Sequence, residues 1–191
     1  MVSRLMAALL ALSPAAVFAH ESAVHYVPHG FAAGLVHPLL GLDHLAVMFA
    51  VGYWMAGKYA GVTSTRMSAI FVGALALGAV SGLAAGVAVE QVILLSVFVA
   101  AAVLLTGKAF NTKLVAAVLA SIAVFHGIAH GHEMPAESVQ VMYVMGFSIA
   151  CAGLVALGYR TNALLIHVAP KLHAKLVAGV VALCGVLTFA G

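Results

Sequence analysis

The chain has 191 residues, of which 65% are apolar and 7% charged, with a mean hydropathy of +1.19. That balance excludes an ordinary soluble domain and reads as an all-α membrane protein, because apolar runs longer than about 18 residues recur, enough to cross a hydrocarbon core about 30 Å thick. The pI near 9.0 does not indicate nucleic acid, since the eight Lys and Arg stand singly between apolar segments; the expected partner is the lipid bilayer.

The chain opens with MVSRLMAALLALSPAAVFA, residues 1–19, which has an early positive charge, a short apolar stretch, Pro14 and small residues before His20. This is a signal-peptide pattern, too short in its apolar core to span comfortably. Val17 and Ala19 suit the positions before a cleavage site, so His20 would be the mature N-terminus on the far side of the membrane and 20–191 a single polytopic domain.

Six membrane helices are expected after it, at about 30–57, 66–88, 90–107, 112–131, 137–159 and 172–190. The stretch 160–171 is ambiguous, because TNALLIHV could extend the fifth helix before Pro170 stops it. Lys58 and Arg66, Lys108 and Lys113, and Arg160, Lys171 and Lys175 fall in alternate loops, which the positive-inside rule makes cytoplasmic. The opposite ends carry Glu21, Glu90, Glu133 and Glu137 and face outward. Gly78, Gly82 and Gly86 recur every four residues, as do Gly30 with Gly34 and Gly127 with Gly131, the spacing of close helix contact in lipid. The bundle also divides into two halves of three helices, which would be inverted, a recurrent plan in secondary transporters.

Polar residues concentrate in two places. The first helix contains HPLLGLDH, in which His37 and His44 are seven residues apart, nearly two turns, and would share a helix face beside Asp43. Pro38 cannot donate to the Gly34 carbonyl, so the helix should kink or open beside His37, with Gly41 easing the bend. The fourth helix contains FHGIAHGHE, with His126 and His130 at i and i+4, then His132 and Glu133 at its outer end. Opposed helix directions would set His37, His126 and His130 in the outer half and Asp43 and His44 nearer the midplane, a ladder leading inward.

Any one of these groups could serve a helix-to-helix hydrogen bond. Their convergence favours function, because an aspartate at the bilayer centre costs roughly 3 kcal/mol on insertion scales. Imidazole and carboxylate suit divalent Zn, Ni, Co, Fe or Cu. Cys151 and Cys184 form no CxxC or CxxCH and read as small buried residues, and the scattered Met residues read as core filler. Glu90, His132 and His20 are secondary candidates, His25 and His29 could gather cations beside them, and His167 and His173 lie at the cytoplasmic end.

HPLLGLDHLAVMFAVG together with FHGIAHGHEMP resembles the HupE/UreJ family of membrane proteins associated with hydrogenase and urease accessory genes, along the whole chain. The resemblance implies a multi-pass protein of the bacterial inner membrane with its N-terminus in the periplasm, and a divalent-metal permease, with nickel favoured and cobalt or another divalent metal as alternatives. It implies metal-transport roles for His37, Asp43, His44, His126, His130 and Glu133, no permanently bound cofactor, and cytoplasmic nickel chaperones as candidate partners. No GxxxxGK[ST] loop for ATP is present. Two rival readings remain open: an intramembrane metal-dependent hydrolase, with Ser121 near His126 assisting, and a b-type haem protein with paired axial histidines.

Overall fold

A computed structural model describes residues 29–58, 62–82, 90–106, 111–136, 138–169 and 172–190. The signal-peptide reading of 1–19, the expectations for His20 and His25, Gly86, Lys108, Glu137 and Lys171, and the side chain of Glu90 lie outside the described residues. Among the described residues there are seven helices: α1 Gly30–Leu40, α2 Leu42–Lys58, α3 Val62–Ser81, α4 Glu90–Thr106, α5 Thr112–His132, α6 Gln140–Val168 and α7 His173–Ala190. Four of them, α3, α5, α6 and α7, are long and apolar enough to cross a membrane, and α1 with α2 makes a fifth span if the bent pair is taken together. The remaining apolar helix, α4, has 17 described residues, about 26 Å at about 1.5 Å per residue, at the lower end of the length that crosses a membrane.

Two boundaries differ from expectation in an instructive way. The fifth expected helix runs on to Val168, so TNALLIHV is helical and the chain turns only at Ala169 beside Pro170. The first expected helix is not continuous. It breaks between Leu40 and Leu42, and the axes of α1 and α2 meet at 84°. Pro38 is accommodated inside the last turn of α1, and the break falls at Gly41, which is extended. A Cβ there would lie 2.5 Å from His44 Nδ1 and 2.7 Å from Asp43 Oδ1, so glycine is required because both polar side chains fold back over it. The Gly41 carbonyl accepts the N–H of Leu45 at 3.0 Å and starts the next helix. His37 and His44 therefore share no helix face; they are brought together around a corner.

Small residues determine which helices touch. Gly78 of α3 and Gly82 just beyond its end abut the backbone of α5 at Val124, Gly127 and Ile128, and Gly127 and Gly131 of α5 return the contact at Leu75, Gly78 and Ala79. Side chains are absent at this crossing because the two backbones occupy the space. On the other side α6 is the backing for both parts of the broken helix: Gly34 of α1 meets Tyr143 and Phe147, Gly146 meets Phe31 and Leu35, Gly52 of α2 meets Val155, and Gly158 meets Phe49 and Tyr53. The third extensive contact pairs α4 with α7. Helix α2 runs through the middle and is buried at Val47, Met48, Ala50, Val51, Tyr53, Trp54 and Met55, while many leucines and valines on α6 and α7 face outward, as lipid contact allows. The start of α1 is tied to the entry of α6, since Gly30, at a φ of +56° that favours glycine, donates its N–H to Ser138 Oγ at 2.9 Å.

Candidate metal site

Three helices build one polar cluster in this apolar bundle. His37 comes from the end of α1, Asp43 and His44 from the first turn of α2, and His126, His130 and Glu133 from the last turns of α5 and its cap. The four imidazoles form a chain. The ring of His37 lies 4.7 Å from that of His130, His130 lies 4.2 Å from His44, and His44 lies 5.3 Å from His126. At one end of this chain Glu133 Oε2 is 2.9 Å from His37 Nε2 and 3.7 Å from His130 Nδ1. Further in, beside the third ring, Asp43 Oδ1 is 2.7 Å from His44 Nδ1.

Burial separates the mouth from the interior. The side chains of Glu133 and His37 are 46% and 30% exposed, whereas His130, His44 and His126 are 0%, 8% and 0% exposed. The cluster therefore opens at its Glu133 end. Along α2, Val47, Met48, Val51 and Met55 are packed without solvent exposure above 2%, so apolar side chains fill the bundle on that side.

Hydrogen bonding defines which nitrogens are left for a ligand. A carbonyl can only accept, so His126 Nδ1–H donates to the Ile122 carbonyl at 3.0 Å and the lone pair is at Nε2. A carboxylate likewise accepts, so His44 Nδ1–H donates to Asp43 and again leaves Nε2 bare. Asp43 Oδ1 also takes the backbone N–H of His44 at 2.8 Å, which locks the carboxylate in place. His44 Nε2, His126 Nε2 and both nitrogens of His130 are buried with no hydrogen-bond partner among the described residues. Leaving such a group unsatisfied costs about 1–3 kcal/mol; a neutral imidazole carries one proton, so His44, His126 and His130 present three lone pairs, one each, that a cation could take. His37, His130 and Glu133 each offer a ligand atom within 4.8 Å of the others and could hold one ion between them.

All six residues expected from the two motifs thus meet at one site. Of the secondary candidates, His132 is exposed and stands outside the three-ligand group, while His20 and the side chain of Glu90 lie outside the described residues. Ser121 is also exposed and donates to the Ala117 carbonyl at 3.0 Å, so it is not turned toward His126 as the hydrolase reading needs. Axial haem ligands must stand on opposite faces of a porphyrin, whereas these rings lie against one another.

Two residues of the site escape sequence reasoning. Phe147 of α6 sets its ring 4.3 Å from His130, and Tyr143, one turn earlier, sets its ring 6.1 Å from His37. Both are fully buried. An aromatic pair at i and i+4 in an apolar helix has the appearance of core, and only the packing of α1 on α6 brings it to the imidazoles.

The family model described as HupE / UreJ protein matches residues 7–188. Protein HupE of Rhizobium leguminosarum bv. viciae is 34% identical over 165 residues, which is 85% of this chain and 85% of that protein. No solved structure matches the chain. The family is associated with nickel or cobalt transport accessory to hydrogenase and urease. Because the match runs across nearly the whole sequence and includes both histidine motifs that fold into the cluster, the chain belongs to the HupE/UreJ family, a family of accessory metal permeases and not of enzymes.

Proposed function

We propose that this protein carries a divalent transition-metal ion, nickel, from the periplasm to the cytoplasm across the bacterial inner membrane, supplying hydrogenase or urease maturation. The observation that carries the reading is the row of four imidazoles, partly exposed at Glu133 and His37 and buried from His130 to His126, with bare nitrogens on the buried rings. Glu133 concentrates cations at the mouth. His37 and His130 then replace part of the hydration shell, with the His37 Nε2 proton that now bonds Glu133 displaced by the metal. Asp43 holds His44 with its Nε2 toward the ion and supplies the negative charge that makes a cation tolerable at depth. His44 and His126 are the next ligands inward.

In this reading the Glu133 end is periplasmic, as the alternation of Lys and Arg loops supports, and six spans follow a signal peptide cleaved before His20. Exchange of the two halves of the chain maps the contact of α1 and α2 with α6 onto that of α5 with α3, and the α4–α7 contact onto itself, which favours an inverted pair of three-span halves. A potential of 100 mV, negative inside, favours entry of a divalent ion by about 4.6 kcal/mol, twice the roughly 2.3 kcal/mol per charge, and would sustain accumulation on the order of a thousandfold. Cytoplasmic nickel chaperones would receive the ion. Radiometal uptake into proteoliposomes, with competition among nickel, cobalt, zinc, copper and manganese, tests the proposal. Uptake that cobalt outcompetes would transfer the assignment to cobalt, and tight retention without flux would refute transport.

A further inference from the structure

We propose that the Tyr143 hydroxyl is part of the metal site, accepting a hydrogen bond from a water molecule that the bound divalent cation retains. The inference rests on the metal-site reading above and extends it to a helix that neither histidine motif includes. Tyr143 is fully buried, and its hydroxyl has no hydrogen-bond partner among the described residues. In an apolar bundle a phenol without a partner is disfavoured relative to phenylalanine, so the hydroxyl at this position calls for a ligand. What surrounds it identifies the ligand's class. The ring lies 6.1 Å from His37, and the ring of Phe147 one turn along lies 4.3 Å from His130, both of them imidazoles of the candidate metal group.

The backbone holds this arrangement firmly. Gly34, one turn before His37, meets the carbonyl of Tyr143 and the amide of Phe147, so α6 cannot withdraw from α1 without opening that contact. His37, His130 and Glu133 supply three ligands, fewer than a divalent transition metal takes, and water fills what remains. Such a water is a strong donor polarised by the metal, and a protonated phenol oxygen is an acceptor for it. Tyr143 is therefore a positioning residue, acting on the cation through its water. Outer partners of this kind contribute roughly ten- to a hundredfold to metal affinity.

The test uses the full chain in detergent with nickel chloride as probe, comparing wild type, Tyr143→Phe and, as a control away from the cluster, Tyr159→Phe. Calorimetric titration and the melting temperature with and without nickel are measured. The expected result is roughly tenfold weaker nickel binding in Tyr143→Phe with a metal-free melting temperature no lower than wild type, and no change in affinity in Tyr159→Phe. Equal affinity in wild type and Tyr143→Phe would overturn the role of Tyr143 and leave the histidine site standing. Absence of nickel binding by wild type, with no stabilisation, would overturn both.

Discussion

His37 Nε2 and Glu133 Oε2 lie 2.9 Å apart although they are 96 positions apart in the chain, and this pair stands at the mouth of the imidazole row. Glu133 reaches His130 as well, at 3.7 Å, so its removal loosens two ligands at once. Glu133→Gln keeps the size of the side chain and removes the charge. Initial uptake rates against metal concentration should show the Michaelis constant raised by roughly tenfold, on the scale of losing one charged partner, with maximal flux reduced less. An unchanged Michaelis constant would take Glu133 out of metal capture.

Asp43 acts through His44. Asparagine at 43 could turn its amide toward the imidazole and allow the proton to sit on Nε2, the nitrogen meant for the metal. Asp43→Asn should reduce metal affinity by roughly 10- to 100-fold while the protein still inserts and melts near the wild-type temperature. Near-normal uptake at matched expression would remove this residue from the path.

Acid should oppose uptake. A protonated imidazole cannot bind metal, and an ordinary imidazole takes its proton near about pH 6.5, so protons compete below that range and the competition disappears above it. A carrier driven by inward protons would respond with the opposite sign. Initial rates at fixed membrane potential across an external range of about pH 5 to 8 distinguish them, and faster uptake at the acid end would sink the potential-driven model.

At the far end of α2 the Tyr53 hydroxyl meets His173 Nδ1, joining α2 to α7 beneath the packed segment that blocks the cluster from that side. Passage of an ion requires this end to open. Tyr53→Phe removes a hydrogen bond with a net contribution of about 0.5–1.5 kcal/mol, which should raise the population open at that end by roughly two- to tenfold and speed metal exchange, with affinity at the cluster unchanged. An exchange rate equal to wild type would show that the contact does not limit opening.

The glycine crossings make a sharper stability prediction. Gly127→Leu drives a side chain into the backbone of α3 at Leu75 and Gly78, and should destabilise by more than the roughly 1–3 kcal/mol typical of overpacking, lowering the yield of folded protein. Gly73→Ala and Gly179→Ala, where a Cβ meets nothing within 4 Å, should change stability by less than about 1 kcal/mol. Comparable losses at all three positions, measured by melting in detergent, would refute the assignment of close contact to α3 and α5.

What the sequence determined by itself is local. Apolar run length announces the membrane, and the spacing of His126 and His130 places both on one face of any α-helix, because covalent geometry repeats every 3.6 residues. The requirement for glycine and proline near His37 was visible too, but their effect was not. Pro38 stays inside α1 and the corner forms at Gly41, since the direction of the break depends on Asp43 and His44 folding back against it. The extension of α6 to Val168 could not be read from hydropathy, which does not separate a long helix from a helix and its loop. The meeting of His44 with His130, and the approach of Tyr143 and Phe147 to the imidazoles, belong to tertiary structure alone. In lipid no apolar pattern selects a partner helix, so the choice falls to where glycines let backbones touch, as Gly34 with Tyr143 and Gly78 with Gly127 do here.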